Sequence, residues 1–164
     1  MILGVDPGIR GALAYYDGHA PSIRDMPTRK QMINGSLRDV IDEQALCKLL
    51  RSARANASIL VLEQVGGMPG QSGPAAFTFG HGVGLIRGIG VTLGYQIEHV
   101  PAARWTGALG LMHSDKDGHR ASAAERWSEH AALFSRKKDA DRADAALIAL
   151  YGFQVFAPAK GESL

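Results

Sequence analysis

Two short apolar segments that each end on an acidic residue constrain this chain most. Ile2–Asp6 runs into a Pro-Gly turn, and Ile59–Glu63 is a second continuous apolar run that ends on a carboxylate. Such runs are typical of strands buried on both faces. A carboxylate at the end of a buried strand is costly unless it is paired or binds a metal ion. If the two strands are parallel neighbours, Asp6 and Glu63 lie at the same edge of one sheet.

A second pair of acids completes a pattern suited to metal binding. Asp141 and Asp144 are three residues apart in an apolar stretch that predicts the last helix, so both face one side of it. Carboxylate oxygens are the ligands that hard divalent cations prefer. Alone, each acid has an ordinary explanation as a turn, a solvated strand end or a helix cap, and Asp139 fits the capping role better. Together, Asp6, Glu63, Asp141 and Asp144 predict a cation site.

The chemistry open to such a site is phosphodiester hydrolysis by two divalent ions. Ions about 3.5–4 Å apart can activate a water molecule and stabilise the leaving oxygen. Asp6 is the best bridging ligand because a central strand is rigid. Glu63 and Asp144 would hold one ion, and Asp141 would complete the site or orient the water.

The spacing of apolar residues predicts an α/β domain with a mixed sheet, over residues 1–156, and a flexible tail over residues 157–164. Residues 17–41 are ambiguous, with Pro21, Pro27 and Asn34-Gly35 as punctuation. Strands are expected at Ile2–Val5, Ala12–Tyr16, Ile59–Glu63 and Tyr95–Val100, with a short one open near Ser22–Asp25. Helices are expected at Asp42–Ala55 (with Asp42 as N-cap), Ala75–Leu93, Ala102–Leu109, Asp115–His130 and Asp139–Phe153.

Composition limits the classes of partner. Setting aside the four acidic candidates leaves 12 of 16 acids against 18 lysines and arginines, a balance that suits a polyanion. A lone cysteine, Cys47, excludes an intramolecular disulfide and a multi-cysteine zinc site. The first strand starts at residue 2 and no long uncharged apolar stretch occurs, so we expect no leader, no membrane span and a cytoplasmic protein.

Gly80, Gly84 and Gly88 recur every four residues in the predicted helix Ala75–Leu93. Each glycine costs roughly 0.5–1 kcal/mol relative to alanine in a helix. A glycine stripe usually permits close approach of another backbone, either in the core or across a dimer.

In six segments the sequence resembles the RuvC-type Holliday-junction resolvases among the RNase H-like nucleases, and in particular their phage and chloroplast branch. The segments span nearly the whole chain: Gly4–Gly8 with Gly11–Ala14, Leu62–Gln64, Phe79–Gly84, Val100–Trp105 and Asp141–Leu147. The resemblance implies an RNase H-like mixed sheet flanked by helices. It also implies a homodimeric crossover junction endodeoxyribonuclease of DNA recombination and repair, in a prokaryotic or phage-infected cell. Such enzymes nick two strands of a four-way junction symmetrically, with Asp6, Glu63, Asp141 and Asp144 as the catalytic ligands of two Mg2+ (or Mn2+) ions.

The candidate DNA contacts are mostly basic. The bacterial enzymes carry an aromatic wedge in the loop after the strand-end glutamate; here that loop has none, and Met68 is the apolar candidate. Lys116 matches a basic residue that touches the junction in the family. No metal-ligand spacing links His99, His113, His119 and His130, so no role is predicted for them. Trp105 is expected to be a core or interface anchor. Further candidates are Arg104, Arg120, Arg136, Lys137 and Lys138.

Other functions remain open at this point. A different RNase H-like nuclease, acting on RNA–DNA hybrid or branched DNA, would need the same four acids. A non-catalytic junction-binding module on the same fold would not need them. A sugar-kinase or actin-like ATPase shares the Gly-x-Asp-x-Gly turn, but it needs a much longer chain and has no use for the paired aspartates of the last helix.

Overall fold

The structure is a computed structural model that describes residues 1–64, 66 and 72–157. Met68 and the predicted tail beyond residue 157 lie outside the described residues. Within them, no helix is long and apolar enough to cross a membrane. The strands are β1 (Ile2–Asp6), β2 (Ala12–Tyr16), β3 (Ser22–Asp25), β4 (Thr28–Ile33), β5 (Ser36–Ile41), β6 (Ile59–Gln64) and β7 (Gln96–Pro101). The helices are α1 (Glu43–Arg54), α2 (Gly73–Thr92), α3 (Ala102–Ala108), α4 (Lys116–Arg126) and α5 (Ala140–Phe156), with 3-10 turns at Ser128–Phe134 and Lys137–Asp139.

Five strands form a mixed sheet in the order β3-β2-β1-β6-β7. The first three strands are antiparallel neighbours, whereas β1, β6 and β7 run parallel. Val5 lies opposite Leu62 in the register. The predicted mixed sheet is therefore confirmed. Asp6 and Glu63 lie at the same end of the neighbouring strands β1 and β6.

Helices cover both faces of this sheet. Residues of β1 and β6 alternate between two cores: Ile2 and Val61 pack on the side of α5, while Leu3 and Leu62 pack on the side of α1 and α2. Burial on both faces explains why these strands read as continuous apolar runs.

Helix α5 lies unusually close to β1. A Cβ atom built on Gly4 would stand 2.4 Å from the backbone nitrogen of Ala149 and 2.6 Å from the carbonyl oxygen of Ala145. Only a residue without a side chain allows the helix to approach the strand this closely. The contact fixes α5 across β1, with its first turn near the strand end that carries Asp6.

Three parts of the sequence prediction need correction. The ambiguous region contains a separate hairpin, β4–β5, whose turn is Asn34-Gly35 with φ of 49° and 76°; this pair is a strong signal for a hairpin turn rather than mere punctuation. The helix expected over Asp115–His130 ends at Arg126. Asp139 stands at the start of α5 but makes no capping bond, because its carboxylate accepts hydrogen bonds from Arg136.

Candidate active site

Three aspartates meet at the end of β1. Asp6 ends the strand, while Asp141 and Asp144 lie in the first turns of α5. One carboxylate oxygen from each lies within 4.8 Å of the other two. Because α5 packs directly against β1 at Gly4, the positions of these two elements determine where the three carboxylates lie. Asp141 and Asp144 thus lie on the same side of α5, as their spacing predicted.

Burial makes Asp6 an unusual carboxylate. Its residue is 8% exposed. Burial raises the pKa of the Asp6 carboxyl from 3.8 to about 7; Lys116 opposes the rise, and the neighbouring acids add to it. A group with this pKa is balanced between its neutral and ionised forms near neutral pH, and a bound cation would favour the ionised form.

Lys116 already places a positive charge in the cluster. Its Nζ lies 2.5 Å from Asp141 Oδ1 and 2.8 Å from Asp144 Oδ2. Burial lowers the pKa of Lys116, but its hydrogen bonds with the two aspartates outweigh that effect and raise the pKa above its ordinary value. Asp141 and Asp144 therefore already bind an ammonium cation, and the all-oxygen donor set that they form with Asp6 fits a hard divalent ion.

Glu63 is a neighbour of the three aspartates but lies outside their group. Its Oε1 accepts a 3.0 Å hydrogen bond from the indole nitrogen of Trp105 on α3. Burial raises the pKa of Glu63, the Trp105 bond lowers it, and Asp144 raises it. The carboxylates of Glu63 and Asp144 are thus close enough for their charges to interact, but Glu63 is not one of the three residues whose oxygens lie within 4.8 Å of one another. Trp105, expected only as an anchor, is fully buried and orients this carboxylate.

Sequence reasoning missed His119. This histidine is 8% exposed, and its Nδ1 lies 2.7 Å from Asp144 Oδ1. Its ring also makes an edge contact with Trp105, with 5.1 Å between centroids. The available signal was the spacing from Lys116, since residues three apart on α4 face the same side. Trp105 and His119 therefore each hold one carboxylate of the site.

The basic candidates separate into two sets. Lys137 and Lys138 line a cleft of about 860 Å³ that also holds Lys116 and Asp141. Arg104 is exposed on α3. In contrast, Arg120 binds the carbonyl oxygens of residues 134 and 135 as well as the carboxylate of Asp117, and Arg136 binds Asp139.

No described residue packs against the glycine stripe. Gly80, Gly84 and Gly88 are exposed, and a Cβ on any of them would meet nothing within 4 Å. Of the two explanations for the stripe, packing inside the core of the monomer does not hold for the described residues.

Comparison with solved structures identifies the fold. Neither the protein-family models nor the curated proteins searched give a match to this sequence. The structure of Thermus thermophilus RuvC matches with a TM-score of 0.59 and 14% identity, over 93% of this chain and 95% of that one. T. thermophilus RuvC in complex with a Holliday junction substrate matches with a TM-score of 0.56 and 13% identity, over 93% and 94%. The chain therefore has the RuvC-like α/β fold that the sequence motifs indicated.

Proposed function

We propose that this chain is a metal-dependent endonuclease that resolves four-way DNA junctions. One observation carries the proposal: Asp6, Asp141 and Asp144 converge at the edge of a RuvC-like sheet, where two of them already bind the ammonium group of Lys116. Clustered, buried acids are costly to keep without a compensating ion. On this fold, their placement suits hydrolysis of a phosphodiester.

The three aspartates would hold Mg2+ or Mn2+, with Glu63 as the fourth ligand and two ions per site. Bound divalent ions would supply an activated water and charge stabilisation for the leaving oxygen. Because the oxygens of Asp6 are close to both aspartates of α5, Asp6 remains the bridging candidate. The acids of the site would thus be both catalytic and metal-binding residues.

Three further residues of the site bind these carboxylates and orient them. Lys116 neutralises two of them, and its ammonium group would lie beside a substrate phosphate brought to the cluster. Trp105 binds one oxygen of Glu63, and His119 binds one oxygen of Asp144, whose other oxygen binds Lys116. We regard Trp105 and His119 as positioning residues, since partners behind metal ligands commonly fix ligand orientation.

Symmetric nicking requires two copies of the site. We propose a homodimer in which the exposed stripe of Gly80, Gly84 and Gly88 on α2 contacts the same stripe of a second chain, as expected for a two-fold interface. Arg104, Lys116, Lys137 and Lys138 would contact the DNA backbone. Arg120 and Arg136 are weaker candidates because they are bound to protein groups, and Met68 remains a proposal from the sequence. A single domain over residues 1–156 and a cytoplasmic location are also proposals.

The alternatives differ in substrate or in chemistry. Another RNase H-like nuclease would cut RNA–DNA hybrid or other branched DNA with the same acids. A junction-binding module would bind without cutting, but it would gain nothing from a buried Asp6 whose ionisation is costly in the metal-free fold.

A substrate panel separates these functions. A labelled synthetic four-way junction, a linear duplex and an RNA–DNA hybrid of matching sequence would each be incubated with Mg2+ and with EDTA. We expect paired, metal-dependent nicks in the junction alone. Cutting of the hybrid would favour the RNase H alternative, and tight junction binding without cutting would favour the binding module.

A further inference from the structure

The β4–β5 hairpin has no part in the function described so far. Its two strands pair only with each other among the described strands, and nearly all its residues are exposed. Met32 and Leu37 are 64% and 61% exposed. A two-stranded hairpin that buries so little is marginally stable in water. Its side chains are therefore available to a partner.

The hairpin faces the first turns of α2 across a cleft of about 780 Å³. Phe77 of α2 lines this cleft and is 76% exposed. Its ring stacks on that of His81, with 6.5 Å between centroids and 14° between planes. The cleft thus offers a flat aromatic surface to solvent, which is the kind of surface on which nucleic-acid bases stack.

Positive charge remains along this cleft after its acids are paired. Glu43 binds Arg29 and Asp39 binds Lys30, at 3.2 and 2.9 Å. In the part of the chain that the structure describes, no ion pair forms at Arg10 or Arg38.

Arg10 and Arg38 also share a smaller neighbouring cleft whose described lining contains no acid. Two arginines that form no ion pair with a described residue, beside an aromatic surface, complement the phosphates and bases of a nucleic-acid strand.

The same surface continues to the acidic site. Ile9 and Arg10, in the turn between β1 and β2, line both the hairpin cleft and the cleft that contains Lys116 and Asp141. A chain lying along the two clefts would pass from the hairpin, over this turn, to the carboxylates. Contact with Arg10 would occur midway.

We propose that this continuous groove binds one unpaired DNA strand, with phosphates on Arg10 and Arg38 and a base on Phe77. Unpaired bases can stack on an aromatic ring, whereas the bases of an intact duplex are already stacked on one another. The proposal rests on the proposed function for its choice of DNA and for the direction of the strand toward the cluster. Strand binding itself requires no cutting, so the two proposals can fail separately.

Binding of fluorescein-labelled single-stranded DNA, measured by anisotropy in EDTA, tests the groove. We expect Phe77→Ala to weaken single-strand binding at least about fivefold. Arg38→Glu should weaken it about tenfold or more and flatten its salt dependence. Lys48→Glu matches the charge change on exposed α1, and Val155→Ala matches the loss of an exposed apolar side chain on α5; both should bind as wild type does. Binding of the matching duplex should change less in Phe77→Ala.

The outcomes distinguish a failure of the proposed groove from a failure of the proposed nuclease activity. Unchanged single-strand binding in Phe77→Ala and Arg38→Glu overturns the groove, even if the wild-type protein cuts junctions. Loss of strand binding in both variants supports the groove, even if the wild-type protein cuts nothing in the substrate panel. Sedimentation provides a further check: if Phe77→Ala dissociates a dimer while strand binding is unchanged, a second copy of the chain occupies the cleft and the proposal is wrong.

Discussion

Helices α5 and α2 flank opposite faces of the same sheet, yet their relations to the rest of the molecule differ. Eleven residues of α5 are buried, and its first turns carry two acids of the cluster. In the described part of α2 only Gly82, Ile86 and Gly90 are buried. Under α5, Gly4 is indispensable to packing, whereas a Cβ on Gly84 of α2 would meet no described residue within 4 Å. Gly4 and Gly84 therefore have opposite effects: Gly4 lets α5 pack closely against β1, whereas Gly84 leaves the helix backbone of α2 exposed.

The largest effect should follow from adding one methyl group under α5. Gly4→Ala would force a Cβ into the backbone of Ala149, and overpacking against backbone cannot be relieved by a change of rotamer. We expect a loss of about 3 kcal/mol or more in the free energy of unfolding. Urea denaturation measures this loss. A change below about 1 kcal/mol would mean that α5 does not lie as close to β1 as the structure has it.

Ionisation of Asp6 should limit the stability of the metal-free protein. Because its pKa is raised from 3.8 to about 7, the native state binds more protons than the unfolded chain between these values. The free energy of unfolding therefore falls as pH rises through this window. Asp6→Asn should be more stable than wild type in EDTA, on the order of 3 kcal/mol at pH 8 and less at pH 5. Urea denaturation at both pH values checks this, and an equal difference at both would contradict it.

A smaller effect is expected from the hydrogen bond behind Glu63. Trp105→Phe keeps a buried ring but removes the indole donor, so the carboxylate loses its orientation. We expect kcat for junction cutting to fall about 10–100-fold and the Mn2+ concentration for half-maximal activity to rise. Trp127→Phe is the matched control, since Trp127 is also buried but contacts the aromatic rings of Tyr16 and Phe134. Equal behaviour of the two variants would show that Trp105 contributes packing alone.

The smallest effect on stability belongs to α2. Gly84→Ala should leave the free energy of unfolding unchanged or raise it by up to about 1 kcal/mol, because alanine favours a helix and the site has room. Gly84→Asp should shift a dimer toward monomer in sedimentation, since two charges would face each other across the axis. A dimer that persists in Gly84→Asp would place the interface elsewhere on the molecule.

These two regions also differ in what their sequences could predict. Around α5 the constraints are local: apolar strands with terminal acids, and two aspartates three apart, predict the sheet and the cluster of Asp6, Asp141 and Asp144. The roles of Trp105 and His119 could not be predicted, because each depends on the packing of α3 or α4 against residues 25 or more positions away.

Prediction was poorer for the surface near α2. The β4–β5 hairpin has little apolar alternation, because it buries almost nothing, so its strands gave a weak signal despite the Asn-Gly turn. The clefts around Arg10 arise where three distant segments meet, and no sequence spacing encodes that meeting. The glycine stripe was visible in the sequence, but packing inside the core could be rejected only once the structure had no described residue against the stripe.

The most direct test of the proposed active site compares wild type and Asp6→Asn on a labelled four-way junction, with cutting followed in Mg2+ and binding followed by gel shift in EDTA. Asparagine preserves the shape of the side chain but removes the charge at the centre of the cluster. We expect cutting to be abolished while junction binding is retained. Normal cutting by Asp6→Asn would place the catalytic site elsewhere, and loss of binding together with cutting would make Asp6 a structural residue.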